Sequence, residues 1–205
     1  MLFWRVLGRG VSPPCLALAT PYRVEKHCLL MFAGNSKDME DLLFRLQRSF
    51  APHHSLILEL KQNLIAVYRN TNQPNNKILA KKINLCLDII PILRRLEPGI
   101  SRLLGISLYE LHTATSAIAN KQFQNGKTKE PELLQMLQES EGYLREAVAH
   151  LIYEPQNTHE GQLAKMALQD LRALRLNIQN LVLLQEDNNT NKKHKPRGKK
   201  ISCKK

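Results

Sequence analysis

Leu56-Ile57-Leu58-Glu59-Leu60-Lys61-Gln62-Asn63-Leu64-Ile65-Ala66-Val67-Tyr68 decides the fold class. Leu56, Leu60, Leu64 and Tyr68 recur every four residues, and Ile57, Ile65 and Val67 widen the stripe, which is the spacing of one buried helix face. Pro52-His53-His54-Ser55 leads into it, with Ser55 placed to cap the helix and Glu59 early in it. Asn70 to Asn76, rich in Asn and holding Pro74, reads as a loop.

Working outward, the same period returns five times. Upstream, a helix follows Asn35-Ser36 with Asp38, Glu40 and Asp41 in its opening turn, Leu42, Leu43, Leu46 and Phe50 on its apolar side, and Pro52 at its end. Downstream, a third covers roughly 76–96 with Leu79, Ile83, Cys86, Ile90 and Leu93 on one face, Pro91 inside it as a kink, and Pro98-Gly99 as its stop. A fourth runs from about 100 to 122 through Leu104, Leu108, Leu111 and Ile118. A fifth begins at Pro131, a residue suited to a first helical position, carries Leu133, Leu137, Leu144, Val148 and Leu151, and closes by Pro155. A sixth follows Thr158 and reaches about Leu184 through Leu163, Met166, Leu174, Ile178 and Leu181. The expectation is an all-α fold: an antiparallel bundle or short tetratricopeptide-like solenoid of about six helices. Three regions follow, an unstructured segment over 1–35, the helical domain over 36–186, and a disordered basic tail over 187–205.

Composition agrees. Of 205 residues 43% are apolar but only 5% aromatic, which favours helices over a sheet. The net charge of +12 is concentrated at the ends: 187–205 contributes +7 and 1–30 contributes +3, leaving +2 for the helical part. Nucleic-acid binding by the folded domain is therefore not expected; nonspecific contact by the tail is. Cys15, Cys28, Cys86 and Cys203 are too scattered for a zinc knuckle or a disulfide framework. No apolar run has the roughly 18 residues a membrane span needs.

Three adjoining pieces carry a resemblance. Phe50-Ala51-Pro52-His53-His54-Ser55-Leu56 with Leu60-Lys61-Gln62-Asn63-Leu64, then Cys86-Leu87-Asp88-Ile89-Ile90 running to Leu96-Glu97-Pro98-Gly99-Ile100-Ser101-Arg102-Leu103-Leu104-Gly105, then Leu108-Tyr109-Glu110-Leu111-His112, resemble the C-terminal helical region of invertebrate-type SET-and-MYND proteins, protein lysine methyltransferases. Residues 39–185 cover about the length of that region. The resemblance implies helices that pack against a catalytic domain and wall its substrate cleft. The asparagine-histidine-cysteine segment for the methyl donor, the late tyrosine and the zinc cysteines of that family are absent from this sequence; Gly8-Arg9-Gly10 is the faintest trace of a SET opening. S-adenosylmethionine and zinc are thus expected only with further upstream domains, and no cofactor with these residues alone.

The expectation is a non-catalytic scaffold whose partner is a protein or peptide, with a SET domain in cis or in trans as one candidate. Tyr68, Arg102, Tyr109 and His112 are its candidate groove residues. Two alternatives stand beside it: a fragment of a complete S-adenosylmethionine-dependent methyltransferase, and a mitochondrial helical-repeat protein whose first 30 residues, with Arg5, Arg9, Arg23 and Lys26 against Glu25, act as a transit peptide. Lys192, Lys193, Lys195, Arg197, Lys199 and Lys200 read as a nuclear-localisation run, so nucleus and cytoplasm are the expected compartments. His53-His54 reads as a helix start rather than a metal site, Glu146 with His150 as a surface pair four residues apart, and Tyr109, Glu110 and His112 as packing residues.

Overall fold

The computed structural model describes residues 36–72 and 74–193, with side chains described as far as Gln185. Six helices follow one another with no strand among the described residues: α1 (Ser36–Leu46), α2 (Ser55–Arg69), α3 (Asn76–Leu96), α4 (Arg102–Gln124), α5 (Glu130–Leu151) and α6 (His159–Lys193). The all-α expectation holds. The chain divides into two compact units between Thr71 and Asn72.

In the first unit α1 packs against α2. Met39 and Leu43 are the buried positions of α1, while Leu42 and Leu46 are half-buried. The helix stops at Leu46, well before Pro52, because its last turn tightens: the Arg48 and Ser49 N–H groups donate to the carbonyls three residues back, Arg45 and Leu46. His54, not Ser55, caps α2: its Nδ1 accepts the Leu56 N–H at 3.3 Å, and Ser55 is already helical. The Phe50 ring packs tilted against the His54 ring, 4.5 Å between centroids.

In the second unit α3 to α6 run antiparallel in sequence order. Lys82 of α3 meets Glu110 and Thr113 of α4, His112 of α4 meets Ser140 of α5, and Glu141 of α5 meets Arg175 of α6. Asn75 caps α3 through its Oδ1, 2.9 Å from the Ile78 N–H. The helix runs unbroken through Pro91, because Pro91 and Leu87 are both exposed and the carbonyl that loses its donor lies on the solvent side. Ser101 starts α4: its Oγ accepts the Leu104 N–H at 3.1 Å and donates to the Glu97 carboxylate.

α4 is the central element. Leu104, Leu108, Leu111, Ala114 and Ala119 are buried, and so are Ser107, Glu110 and His112. A Cβ added at Gly105 would come 2.8 Å from the Leu151 side chain, so only glycine lets α4 and α5 approach this closely. The α5 stripe of Leu133, Leu137, Leu144, Val148 and Leu151 is buried as expected. The helix ends at Leu151, four residues short of Pro155.

α6 differs from expectation twice. Met166 is 53% exposed; the inward row is Leu163, Ala167, Leu171 and Leu174, and Met166 lies on its edge. The helix also passes Leu184 and the boundary expected at 186, continuing to Lys193. Asp187 to Asn191 are weak helix formers, but none is Pro or Gly, and the first strong breaker is Pro196. Lys192 and Lys193 of the basic run close this helix. The segment over 1–35 and the residues Lys195, Arg197, Lys199 and Lys200 lie outside the described residues.

Candidate partner-binding cleft

Of the four candidate groove residues, Tyr68, Tyr109 and His112 each bond to a neighbouring helix, and Arg102 bonds to the loop after α5. Tyr68, buried in α2, donates through its hydroxyl to Glu40 of α1 at 2.5 Å. Burial, then that carboxylate, push its phenol above its ordinary pKa. Arg102 is exposed and bonds through Nε to the Glu154 carboxylate at 2.9 Å, which raises its pKa further. Tyr109 is buried and donates to Asp170 of α6 at 2.8 Å. His112 is buried against α5, its Nδ1 2.8 Å from Ser140 Oγ and 3.2 Å from the Ser140 carbonyl. The Ser140 hydroxyl in turn donates to the His112 carbonyl at 3.2 Å. With that hydroxyl donating, the reciprocal bond requires an Nδ1 that carries its hydrogen. Burial holds the His112 pKa below its usual value. Within the second unit, Arg102, Tyr109 and His112 thus tie α4 to the loop after α5, to α6 and to α5 respectively.

Other expected groupings also separate. Glu146 forms a two-pronged ion pair with Arg94 of α3, both contacts 2.8 Å, while His150 Nδ1 accepts the Ser101 N–H at 3.2 Å. Their four-residue spacing put them on one face, but each found a partner on another helix. Glu110 is paired with Lys82 at 2.5 Å in an almost fully buried ion pair, which no pattern in the sequence flagged. Cys86 beside it is fully buried, and burial pushes its thiol up to about 12, so it remains a protonated small hydrophobe. Among the described residues no group of His, Cys, Asp or Glu is arranged to hold a metal, and no helix is long and apolar enough to cross a membrane.

Two open clefts lie in the second unit, one towards each end of the α5–α6 pair. The first has a volume of about 330 Å³. Its floor is Leu133 and Leu137 from the start of α5 and Leu174 from α6, each less than a tenth exposed. Phe123, at the end of α4, and Leu181 extend the apolar wall. Asn120 of α4 and Asn177 and Asn180 of α6 form the rim, with Ser116 beside them, and no charged side chain lines it. The three asparagines are exposed, and their carboxamides make no hydrogen bond to another described residue. The space lies beside the loop over 125–129, where the end of α4, the start of α5 and the second half of α6 come together.

The second cleft, of about 560 Å³, lies where α5 passes into α6 and is polar. Glu154, Gln156, Gln162 and Lys165 line it with Ile152 and Leu168. Its wall is tight: a Cβ on Gly161 would fall 2.0 Å from the Pro155 carbonyl oxygen. Glu154 is already engaged by Arg102.

Sequence reasoning missed the rim asparagines, although a signal was present. Asn is a poor helix former, and Asn177 and Asn180 stand three apart in the middle of a long helix with Asn120 near the end of another. No family model matches this chain, and no curated protein and no solved structure matches it.

Proposed function

We propose that the chain is a helical scaffold without catalytic chemistry of its own, of the SET-and-MYND C-terminal type, which holds a partner protein in the uncharged cleft of α4, α5 and α6. The observation that carries this reading is the cleft itself: a leucine floor beside exposed carboxamides. Apolar floor area supplies affinity through the water it releases, and a few polar rim groups set orientation. The polar groups buried elsewhere in the second unit support the reading in a second way. The His112–Ser140 pair fastens α4 to α5, two of the cleft walls, and the Lys82–Glu110 pair holds α3 on α4 behind them.

Partner capture is tested by placing a photo-crosslinking amino acid at Ser116, in the uncharged cleft, and separately at Lys165, in the polar one. The expected result is a discrete adduct from Ser116 and none from Lys165. Saturable S-adenosylmethionine binding by the 205-residue chain in a calorimeter would overturn the scaffold reading in favour of a methyltransferase. For the basic run the matching proposal is nuclear import, and deletion of 188–205 is expected to shift a tagged protein towards the cytoplasm. An unchanged distribution removes that role.

A further inference from the structure

Independently of the scaffold reading, we infer that α6 pairs antiparallel with α6 of a second copy of this chain, along a face that its own unit leaves uncovered. Met166, Gln169, Ala173, Leu176, Asn180 and Leu183 follow one another at alternating steps of three and four, the a and d positions of a heptad. All six are exposed, and Met166, Leu176 and Leu183 are each more than half exposed. At about 100° per residue, the row is turned roughly 140° round the helix from the centre of the inward row, Leu163, Ala167, Leu171 and Leu174. A second seam thus faces solvent on a helix already packed against α5 on its other side. From Leu176 to Gln185 the sequence holds no charged residue, although the chain as a whole is 23% charged. A helix face that meets only water carries charge; a face with apolar residues at heptad spacing is built to be covered.

The occupant is identified by how the row reads in reverse. Turned end for end about the point between Leu174 and Arg175, it meets itself in a continuous set of a-to-d layers. Met166 then stands opposite Leu183 of the second copy, Ala173 opposite Leu176, and Gln169 opposite Asn180, and each pairing recurs by symmetry. Apolar meets apolar and small meets large, while each carboxamide offers the donor and acceptor that the other needs. Sliding one copy by a heptad sets Gln169 on Ala173 or Asn180 on Leu176, which leaves a polar group unbonded in the seam. A parallel pairing stacks Ala173 on Ala173 and leaves a gap. Beside the antiparallel seam, Arg172 stands opposite Gln179 and Asp170 opposite Asn177, so no like charges meet. A foreign protein would impose no relation between the row and its own reverse. The seam runs along about 26 Å of helix, which places the pairing in the weak, concentration-dependent class below ~1,200 Å².

The test is sedimentation velocity of the full chain from about 1 µM to about 1 mM, where a monomer–dimer equilibrium with its midpoint above about 10 µM is expected. Leu176→Glu is expected to weaken it tenfold or more. Its thermal midpoint in dilute protein should not fall, because Leu176 is exposed in the single copy, and that separates lost pairing from lost folding. Direction is read by disulfide trapping in a chain whose Cys15, Cys28 and Cys203 are changed to serine, with the buried Cys86 kept. Met166→Cys mixed with Leu183→Cys is expected to give a crosslinked dimer, and neither variant alone is expected to do so. A monomer at every concentration would overturn the inference, as would a dimer indifferent to Leu176→Glu. Met166→Cys chains that crosslink to each other, or a mixture that does not crosslink, would overturn the antiparallel pairing. In dilute protein the chain is a monomer, so the Ser116 and Lys165 crosslinks report partner capture separately, and either idea can fail without the other.

Discussion

The two clefts of the second unit differ in what closes them. At the polar one, Arg102 takes Glu154, and the chain around Gly161 is packed until a methyl group no longer fits. At the uncharged one, a buried leucine floor is rimmed by three exposed asparagines and no charged side chain. The difference teaches that one helix junction concentrates charge and tight backbone packing, whereas the other leaves apolar and amide groups together without charge.

The largest effect is expected from the fastening of α3 on α4, which supports the α4 wall of the uncharged cleft from behind. The Lys82–Glu110 pair fixes α3 on α4 at 2.5 Å in an almost fully buried site. Lys82→Met leaves Glu110 buried without its counter-charge, and is expected to cost about 3–5 kcal/mol in urea unfolding. The double change Lys82→Met, Glu110→Leu should recover much of that loss. A single variant as stable as the parent would show that the pair fixes nothing.

Gly161→Ala sharpens the contrast directly. The new Cβ meets backbone, which cannot rotate aside, so the start of α6 must shift. The expected cost is about 1–3 kcal/mol, in the range of overpacked sites. Crosslinking from Ser116 at the uncharged cleft, over ~20 Å along α6 by helix rise from Gly161 to Asn177, should change little while the chain stays folded. Loss of the crosslink together with retained stability would show that the two ends of α6 are coupled.

A third test uses pH. Burial disfavours the charged form of His112, so its folded pKa lies below the ordinary 6.5 of the unfolded chain; a backbone bond to Ser140 and the nearby Asp170 oppose part of that shift. Between the two values the unfolded chain binds a proton that the folded chain refuses. The His112 contribution is therefore complete above about pH 6.5 and is lost as pH falls through that value towards the folded pKa. The urea midpoint is expected to drop between pH 7.5 and 5.5, with a smaller drop in His112→Gln. An identical pH response in both would assign the loss to other groups. The smallest effect belongs to the rim: Asn120→Ala is expected to leave stability within about 0.5 kcal/mol of the parent while reducing the Ser116 crosslink.

Much of this was legible in the chain. Leu56, Leu60, Leu64 and Tyr68, and the row from Leu133 to Leu151, announce helix faces, because a stripe of period 3.6 is a local property of consecutive residues. Pro131 in a first turn is local for the same reason, whereas the cap expected at Ser55 falls on His54, whose ring also packs tilted against Phe50. Met166 failed because a stripe names a face but not its centre. Tyr68, Arg102, Tyr109 and His112 were sound choices as polar residues on apolar helices, yet which helix meets which is a nonlocal matter, and each is held by a side chain or backbone group 28 to 61 positions away or, for Arg102, by Glu154.

By itself, then, the sequence determined the number, order and approximate length of the helices, through hydrophobic period and turn chemistry. Only the tertiary structure decided that Glu110 belongs to Lys82, that Glu146 belongs to Arg94, and that Ser116, Leu133 and Asn180 border one space. The reason is physical: periodicity is set by bonds between near neighbours, whereas a cleft exists only after antiparallel packing brings residues from three helices to one place.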